Sequence, residues 1–172
     1  VIGGGAIGCE FASMLSDLGS EVTVLEALPE ILVGCDADVA KAVRRSFRRR
    51  GISVHSGVSV TGHEPAGGST VVSFGDERVE VDLVVMAVGR SPRGDAAGLV
   101  GTRVEVDERG FISVDDRLLT GEPGVYAVGD VVATPQLAHV AFAEGMFVVK
   151  DLLGESPLPL NAATVPWCIY TH

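Results

Sequence analysis

The sequence lacks a surplus of positive charge. Thirteen Lys and Arg stand against 23 Asp and Glu, a net charge of −10 with a pI near 4.7. Attraction to nucleic acid or to an anionic membrane surface depends on the opposite balance, so no nucleic acid and no membrane partner is expected. Cysteine pairs are missing too. Cys9, Cys35 and Cys168 are odd in number and form no short pair, which speaks against a secreted disulfide scaffold and for a reducing, cytoplasmic setting. No apolar run approaches the roughly 18 residues of a membrane span, no residue set is assigned to a metal, and no internal repeat or low-complexity linker is seen. What is present fits a folded chain: 172 residues, 47% hydrophobic and 21% charged, enough for one compact domain or two small ones. Glycine is frequent, 22 residues without a Gly-X-Y period, and so serves turns and close backbone approaches. Six of the 13 basic residues, Lys41, Arg44, Arg45, Arg48, Arg49 and Arg50, fall in the second half of an expected helix, where cations complement the dipole.

Helical spacing runs through Ile7, Phe11, Met14 or Leu15, and Leu18. With Gly19 behind them, it predicts a helix over 6–18 with these residues as its apolar stripe. Glu21 to Glu26 (EVTVLE) reads as a strand. Asp36 or Asp38 can cap a second helix, apolar at Val39 or Ala40, Val43 and Phe47 and ended by Gly51, after which Ile52 to Val54 opens the next strand. From Val58 onward, period-two segments split by Gly67-Gly68 and Gly75-Asp76 predict a β-meander, feeding a buried strand in the unbroken apolar run Leu83 to Val88. After Arg90-Ser91-Pro92 a second unit begins. Its expected parts are a strand around Phe111 to Val114, a turn at Gly121 to Gly124, the apolar Val125 to Val128, and a helix from about Gln136 to Leu153. That helix is apolar at Val140, Phe142 or Ala143, Phe147, Val148 and Leu152, and stops at Gly154. Only Val1-Ile2 precedes the first glycine-rich loop, and Val165 to Tyr170 reads as an apolar strand close to the end, so the chain is read as an internal piece of a longer protein.

Gly3-Gly4-Gly5-Ala6-Ile7-Gly8 is a G-x-G-x-x-G sequence at the join of strand and helix. Gly3 suits the tight turn, Gly5 lets a pyrophosphate approach the backbone, and Gly8 lets helix and strand pack closely. The helix N-terminus supplies free N–H groups and positive dipole. Glu26 ends the second strand, 18 residues after Gly8, where a carboxylate can accept hydrogen bonds from the adenosine ribose hydroxyls. The same charge would repel a 2′-phosphate, and no Lys or Arg occurs before Lys41, so NAD is favoured over NADP.

A βαβαβ half with a β-meander, followed by GRSP, resembles the pyridine-nucleotide domain of the flavin-dependent disulfide reductases. Thr120 to Asp130 (TGEPGVYAVGD) is similar to that family's second FAD fingerprint, Gln136 to His139 (QLAH) to the segment after it, and Thr164 to His172 (TVPWCIYTH) to the entry to the dimer-interface domain. VTVLE, LAH and YTH bring the likeness nearest to the dihydrolipoamide-oxidising branch. It covers essentially the whole chain.

The resemblance implies an α/β fold: a Rossmann-like NAD-binding βαβ domain with a β-meander over 1–93, the C-terminal part of an FAD-binding domain over 94–156, and the start of a dimer-interface domain over 157–172. It assigns Gly3, Gly4, Gly5, Ala6, Ile7, Gly8, Cys9, Glu10, Glu26, Val60 and Gly89 to NAD. Asp130, Gln136, Leu137, Ala138 and His139 go to FAD. Val60 is either apolar cover for the adenine or a plain strand residue. Glu10 either faces the nicotinamide side or is a solvated acid at a helix start, and Cys9 also reads as a small core residue. His139 is implied to act through its backbone. The residues themselves support Asp130 as a ribityl ligand and the helix N–H groups after Pro135 as stabilisers of negative charge on reduced flavin. The resemblance further implies a Cys-x-x-x-x-Cys pair upstream and a His-Glu pair downstream, neither in this chain, so no catalytic residue is assigned here. The implied reaction passes electrons from dihydrolipoamide, on an acyl-carrier domain of a 2-oxo acid dehydrogenase complex, to a disulfide, to FAD and as hydride to NAD, in a homodimer. A glutathione- or mycothione-reductase-like enzyme and a stand-alone NAD-binding module are the alternatives; the second leaves YAVGD without a role.

Overall fold

The computed structural model describes residues 1–171, so His172 of the YTH ending lies outside the described residues. The chain divides into two compact units, one formed by Val1–Gly89 with the residues from Cys168 onward, the other by Arg90–Trp167.

In the first unit, β1 (Thr23–Glu26) and β2 (Ser53–Ser56) pair in parallel, with Val24 opposite Val54 and Glu26 opposite Ser56. Ile2 extends this ladder, bridging Leu25 on one side and Met86 on the other, both in parallel. Parallel neighbours need helical crossovers, and α1 (Ala6–Asp17) and α2 (Ala37–Arg49) supply them. This is the βαβ pattern expected from the sequence. α2 starts where expected, with the Asp36 carboxylate accepting from the Asp38 N–H at 2.8 Å, and it buries Ala40, Val43 and Phe47. Val39 is left exposed. Two cations of the basic run fasten the helix to its surroundings, Arg44 to Glu30 at 2.8 Å and Arg50 to Asp17 at 2.7 Å.

α1 turns the other way from the expectation. Ile7, Phe11, Met14 and Leu18 are all exposed, Leu15, the alternative to Met14, is half-buried against the core, and the buried positions are Gly8, Cys9, Ala12 and Ser13. The reason is distance. A Cβ on Gly8 would lie 1.9 Å from the Gly3 oxygen, so the helix rests against the loop and sheet at a separation only small side chains allow, and the large apolar ones are turned outward. Cys9 and Ala12 accordingly join Val22, Val24, Ile31 and Phe47 in the core of the unit.

The meander is present as β3 (Val60–Ala66), β4 (Ser69–Phe74) and β5 (Glu77–Val81), antiparallel in the order β3-β4-β5. Its inner residues Val72 and Phe74 pack on Leu25, which joins the two sheets in one core. The run after it is not a buried strand. The Ile2 N–H donates to the Val85 oxygen at 2.8 Å and the Ala87 N–H to the Ile2 oxygen at 2.7 Å, but Leu83, Met86 and Val88 are exposed. Continuous apolarity signals burial on both faces, and here the backbone is paired along one edge while three of the six side chains reach solvent. The segment Val165 to Tyr170 likewise forms no strand: Pro166 offers no N–H to a ladder, and Trp167 and Tyr170 are exposed while Ile169 packs on the first core.

The second unit is built around Ile112, Ala127 and Val132. The strands expected around Phe111 to Val114 and at Val125 to Val128 are reduced to single antiparallel bridges, Val106 with Ile112 and Leu119 with Tyr126. Asp107 and Asp115 explain the shortness, because their carboxylates take up turn N–H groups at Arg109 and Phe111 and at Arg117 and Leu119 that a longer ladder would use. α3 (Ala138–Leu152) follows a single 3₁₀ turn at Gly129–Val131 and buries Val140, Glu144 and Phe147. Of the residues expected on its apolar side, Phe142 and Leu152 are exposed, while Ala143, the alternative to Phe142, is half-buried. No helix among the described residues is long and apolar enough to cross a membrane.

Candidate functional site

The three motif glycines are required for different reasons. Gly3 has φ +103° and a Cβ there would meet the Ala87 oxygen at 2.3 Å; Gly8 is held against the Gly3 oxygen as described. Gly5 has an ordinary φ of −70° and a Cβ there would meet nothing within 4 Å. The fold therefore needs the first and third glycines. The middle one keeps space open in front of the loop, and a pyrophosphate approaching backbone N–H groups fills such a space. Gly5 is also the cap of α1, which begins with no side-chain cap and no acid in its first turn, so the positive end of the helix faces no anion of its own there.

Glu26 lies at the C-terminal end of β1, the end at which open α/β sheets bind ligands. It is 9% exposed. Its Oε2 accepts from the Gly4 N–H at 2.5 Å and its Oε1 from the Leu28 N–H at 2.7 Å, so one side chain ties the glycine loop to the connection after β1. The Gly4 carbonyl is engaged as well, by the Leu32 N–H at 2.8 Å and the Cys9 thiol at 3.4 Å. Leu32, in the loop that closes over Gly4, reaches that bond with φ +56°, a conformation costly for a branched side chain. Each Glu26 oxygen keeps a second lone pair with which it can accept a further hydrogen bond.

A cleft of about 410 Å³ runs in front of this arrangement, and it brings together six of the residues singled out in the sequence: Gly3, Gly4, Gly5, Glu26, Val60 and Gly89. Val60 both lines the cleft and packs on the Leu25 core. Ala27, Leu28 and Val33 line it too and were not anticipated; the signal for the first two was their place directly after the strand-end acid. Ala6, Ile7, Gly8, Cys9 and Glu10 do not line it. Cys9 is fully buried, and burial, with the Glu26 carboxylate next in effect, pushes its thiol from the usual 9.0 up to about 12, so it stays a neutral donor to Gly4. Glu10 accepts from the Tyr170 N–H at 3.0 Å, holding the last described residues of the chain against α1.

The second group of residues sits in the other unit. Asp130 lies on the 3₁₀ turn with its side chain 42% exposed, paired with Arg90 at 3.4 Å. The Gln136 amide donates to the Asp130 carbonyl at 3.2 Å, Leu137 caps α3 by its backbone alone, and Ala138 and His139 are exposed in a first turn free of acids. An accessible carboxylate beside an uncapped helix start fits a group carrying hydroxyls and negative charge, as a flavin nucleotide does. Behind the turn lies Glu144, which the sequence reading passed over. It is 2% exposed and accepts from the Gly129 N–H at 2.6 Å. Its only signal was a charge interrupting the apolar pattern of α3.

A family model described as pyridine nucleotide-disulphide oxidoreductase matches residues 1–145. The chain is 40% identical to the dihydrolipoyl dehydrogenase of Thermus scotoductus over 99% of its own length and 38% of that protein's. Among solved structures it superposes on LpdA from Mycobacterium tuberculosis with TM-score 0.91 at 29% identity, covering 99% of this chain and 37% of that one. A FAD-dependent pyridine nucleotide-disulphide oxidoreductase from Desulfovibrio vulgaris gives 0.84 at 29% identity, over 99% and 46%. The chain thus spans less than half the length of each of these proteins. The matched span holds, in this order along the chain, the glycine loop, the strand-end acid, the meander and the Gly129-Asp130 turn, and the chain belongs to the pyridine nucleotide-disulphide oxidoreductase family.

Proposed function

We propose that this chain is the pyridine-nucleotide platform and part of the flavin site of a dihydrolipoyl dehydrogenase that uses NAD. The observation that carries the reading is Glu26, a carboxylate on the wall of the glycine-loop cleft with a free lone pair on each oxygen. In this reading Gly3 to Glu10, Glu26, Val60 and Gly89 serve NAD, and Asp130 with Gln136 to His139 serves FAD. FAD supplies two-electron chemistry between a dithiol and the nicotinamide. The chain's own part is positioning. The N–H groups of Gly5 and the first turn of α1 hold the pyrophosphate, Glu26 holds the ribose and repels a 2′-phosphate, and Asp130 holds the ribityl hydroxyls. Residues 1–93, 94–156 and 157–172 then correspond to the NAD domain, the end of the FAD domain and the entry to the interface domain of a cytoplasmic homodimer. Its substrate is dihydrolipoamide on the acyl-carrier domain of a 2-oxo acid dehydrogenase complex.

The test uses the full-length protein. NAD should bind at least tenfold more tightly than NADP, and Asp130→Ala should lower FAD affinity about tenfold or more, the scale of a bond to a charged acceptor, with NAD binding kept. Equal affinity for both nicotinamide cofactors, or full flavin retention by Asp130→Ala after gel filtration, overturns the corresponding half of the reading.

A further inference from the structure

Glu144 is a buried carboxylate that no step above uses. It is 2% exposed on α3, where a charge is costly. Only one of its oxygens is satisfied: Oε2 accepts from the Gly129 N–H at 2.6 Å, while Oε1 is buried without a partner among the described residues. An apolar side chain of similar volume would avoid this cost, so stability of α3 is not a reason for a carboxylate here. What the carboxylate achieves is local. Gly129 stands at φ +77°, and a Cβ on it would come within 3.1 Å of the Ala141 Cβ, so α3 presses directly on the turn. The next residue is Asp130, its backbone oxygen held by Gln136 and its half-exposed side chain paired with Arg90 at 3.4 Å.

We propose that Glu144 is the positioning residue of the Gly129-Asp130 turn: by anchoring the Gly129 N–H from beneath, it sets the direction in which Asp130 presents its carboxylate to the flavin polyol. This rests on the flavin reading of Asp130. Glu144 touches no ligand. It acts through one backbone bond, and its effect on flavin binding therefore passes through Asp130.

The experiment is a double-mutant cycle in the full-length flavoprotein, with FAD affinity read from flavin absorbance retained after gel filtration and NAD titrated separately as a check on the fold. Glu144→Leu should lower FAD affinity about tenfold, the effect of losing one bond to a charged acceptor. Glu144→Gln, whose carboxamide oxygen still accepts from Gly129, should retain FAD. Asp130→Ala with Glu144→Leu should lose no more than Asp130→Ala alone, because the two act in series. Should Glu144→Leu fail to fold, Glu144→Asp, one methylene short of Gly129, replaces it with the same expected loss. Parent-like FAD retention in the Leu or Asp variant overturns the proposal, as does flavin loss in the Gln variant. Losses that multiply in the double variant also overturn it, since Glu144 then acts independently of Asp130. Full retention in Asp130→Ala alone is a different failure, that of the flavin reading itself.

Discussion

The two units solve one problem twice, and the solutions differ in where the carboxylate stands. In the first, Glu26 accepts from the Gly4 N–H with one oxygen and the Leu28 N–H with the other, and it borders the cleft. In the second, Glu144 accepts from the Gly129 N–H, has no partner for its other oxygen among the described residues, and lies buried behind the turn while the Asp130 side chain is half-exposed and paired with Arg90. Glu26 anchors the backbone and, in the proposed reading, also presents its own charge to a ligand. In the second unit these two tasks fall to two residues. A site that merges them couples ligand affinity to fold stability; a site that separates them can lose ligand affinity at Asp130 with the fold intact.

The largest effect should come from breaking the glycine loop. Gly3→Ala places a Cβ 2.3 Å from the Ala87 oxygen at a φ of +103°, and overpacking combined with positive-φ strain should cost about 3 kcal/mol or more, read as a lowered urea midpoint. Gly5→Ala sharpens the contrast: with nothing within 4 Å of the added Cβ, the midpoint should stay within about 0.5 kcal/mol of the parent while NAD affinity falls. A Gly5→Ala protein that binds NAD normally would show that the open space is not the pyrophosphate site.

Glu26→Ala is the next largest. It should weaken NAD binding by about 1 to 3 kcal/mol and, because the Gly4 and Leu28 N–H groups lose their acceptor, destabilise the unit by a similar amount. Asp130→Ala should leave the urea midpoint unchanged, so matched stability losses at Glu26 and Asp130 would break the comparison. The smallest effect concerns Cys9. A thiol raised by burial from 9.0 to about 12 stays protonated in the folded state while the unfolded chain ionises. The stabilisation is therefore fully present below about pH 9 and is lost as pH rises toward 12. Alkylation at pH 8 should label Cys168, which is exposed, and spare Cys9 until the protein unfolds. Rapid labelling of Cys9 would place it outside the core beneath Gly4.

Sequence reading reached the elements better than their faces. The helices at 6–18 and after Asp36, the meander, and the helix ended by Gly154 lie within a few residues of α1, α2, β3 to β5 and α3, because capping acids, turn glycines and hydrophobic period are local signals. The misread faces share one cause, distinct from the turn carboxylates and Pro166 that curtailed the other expected strands. The stripe Ile7, Phe11, Met14 and Leu18 and the run Leu83 to Val88 are truly apolar, but apolarity states a preference for burial and does not name a neighbour to provide it.

The sequence by itself determined that a glycine loop joins a strand to a helix, that an acid ends the following strand, and that a Gly-Asp turn precedes a long helix, since each is a short pattern with its own backbone chemistry. Tertiary structure decided which side of α1 is buried, because only the 1.9 Å approach of a Gly8 Cβ to the Gly3 oxygen excludes the large residues. It also decided that Glu26 reaches back 22 residues to Gly4 and Glu144 15 residues to Gly129. A hydrogen bond forms only where donor and acceptor come within about 3 Å, and for residues so far apart along the chain that distance is set by how the helices pack.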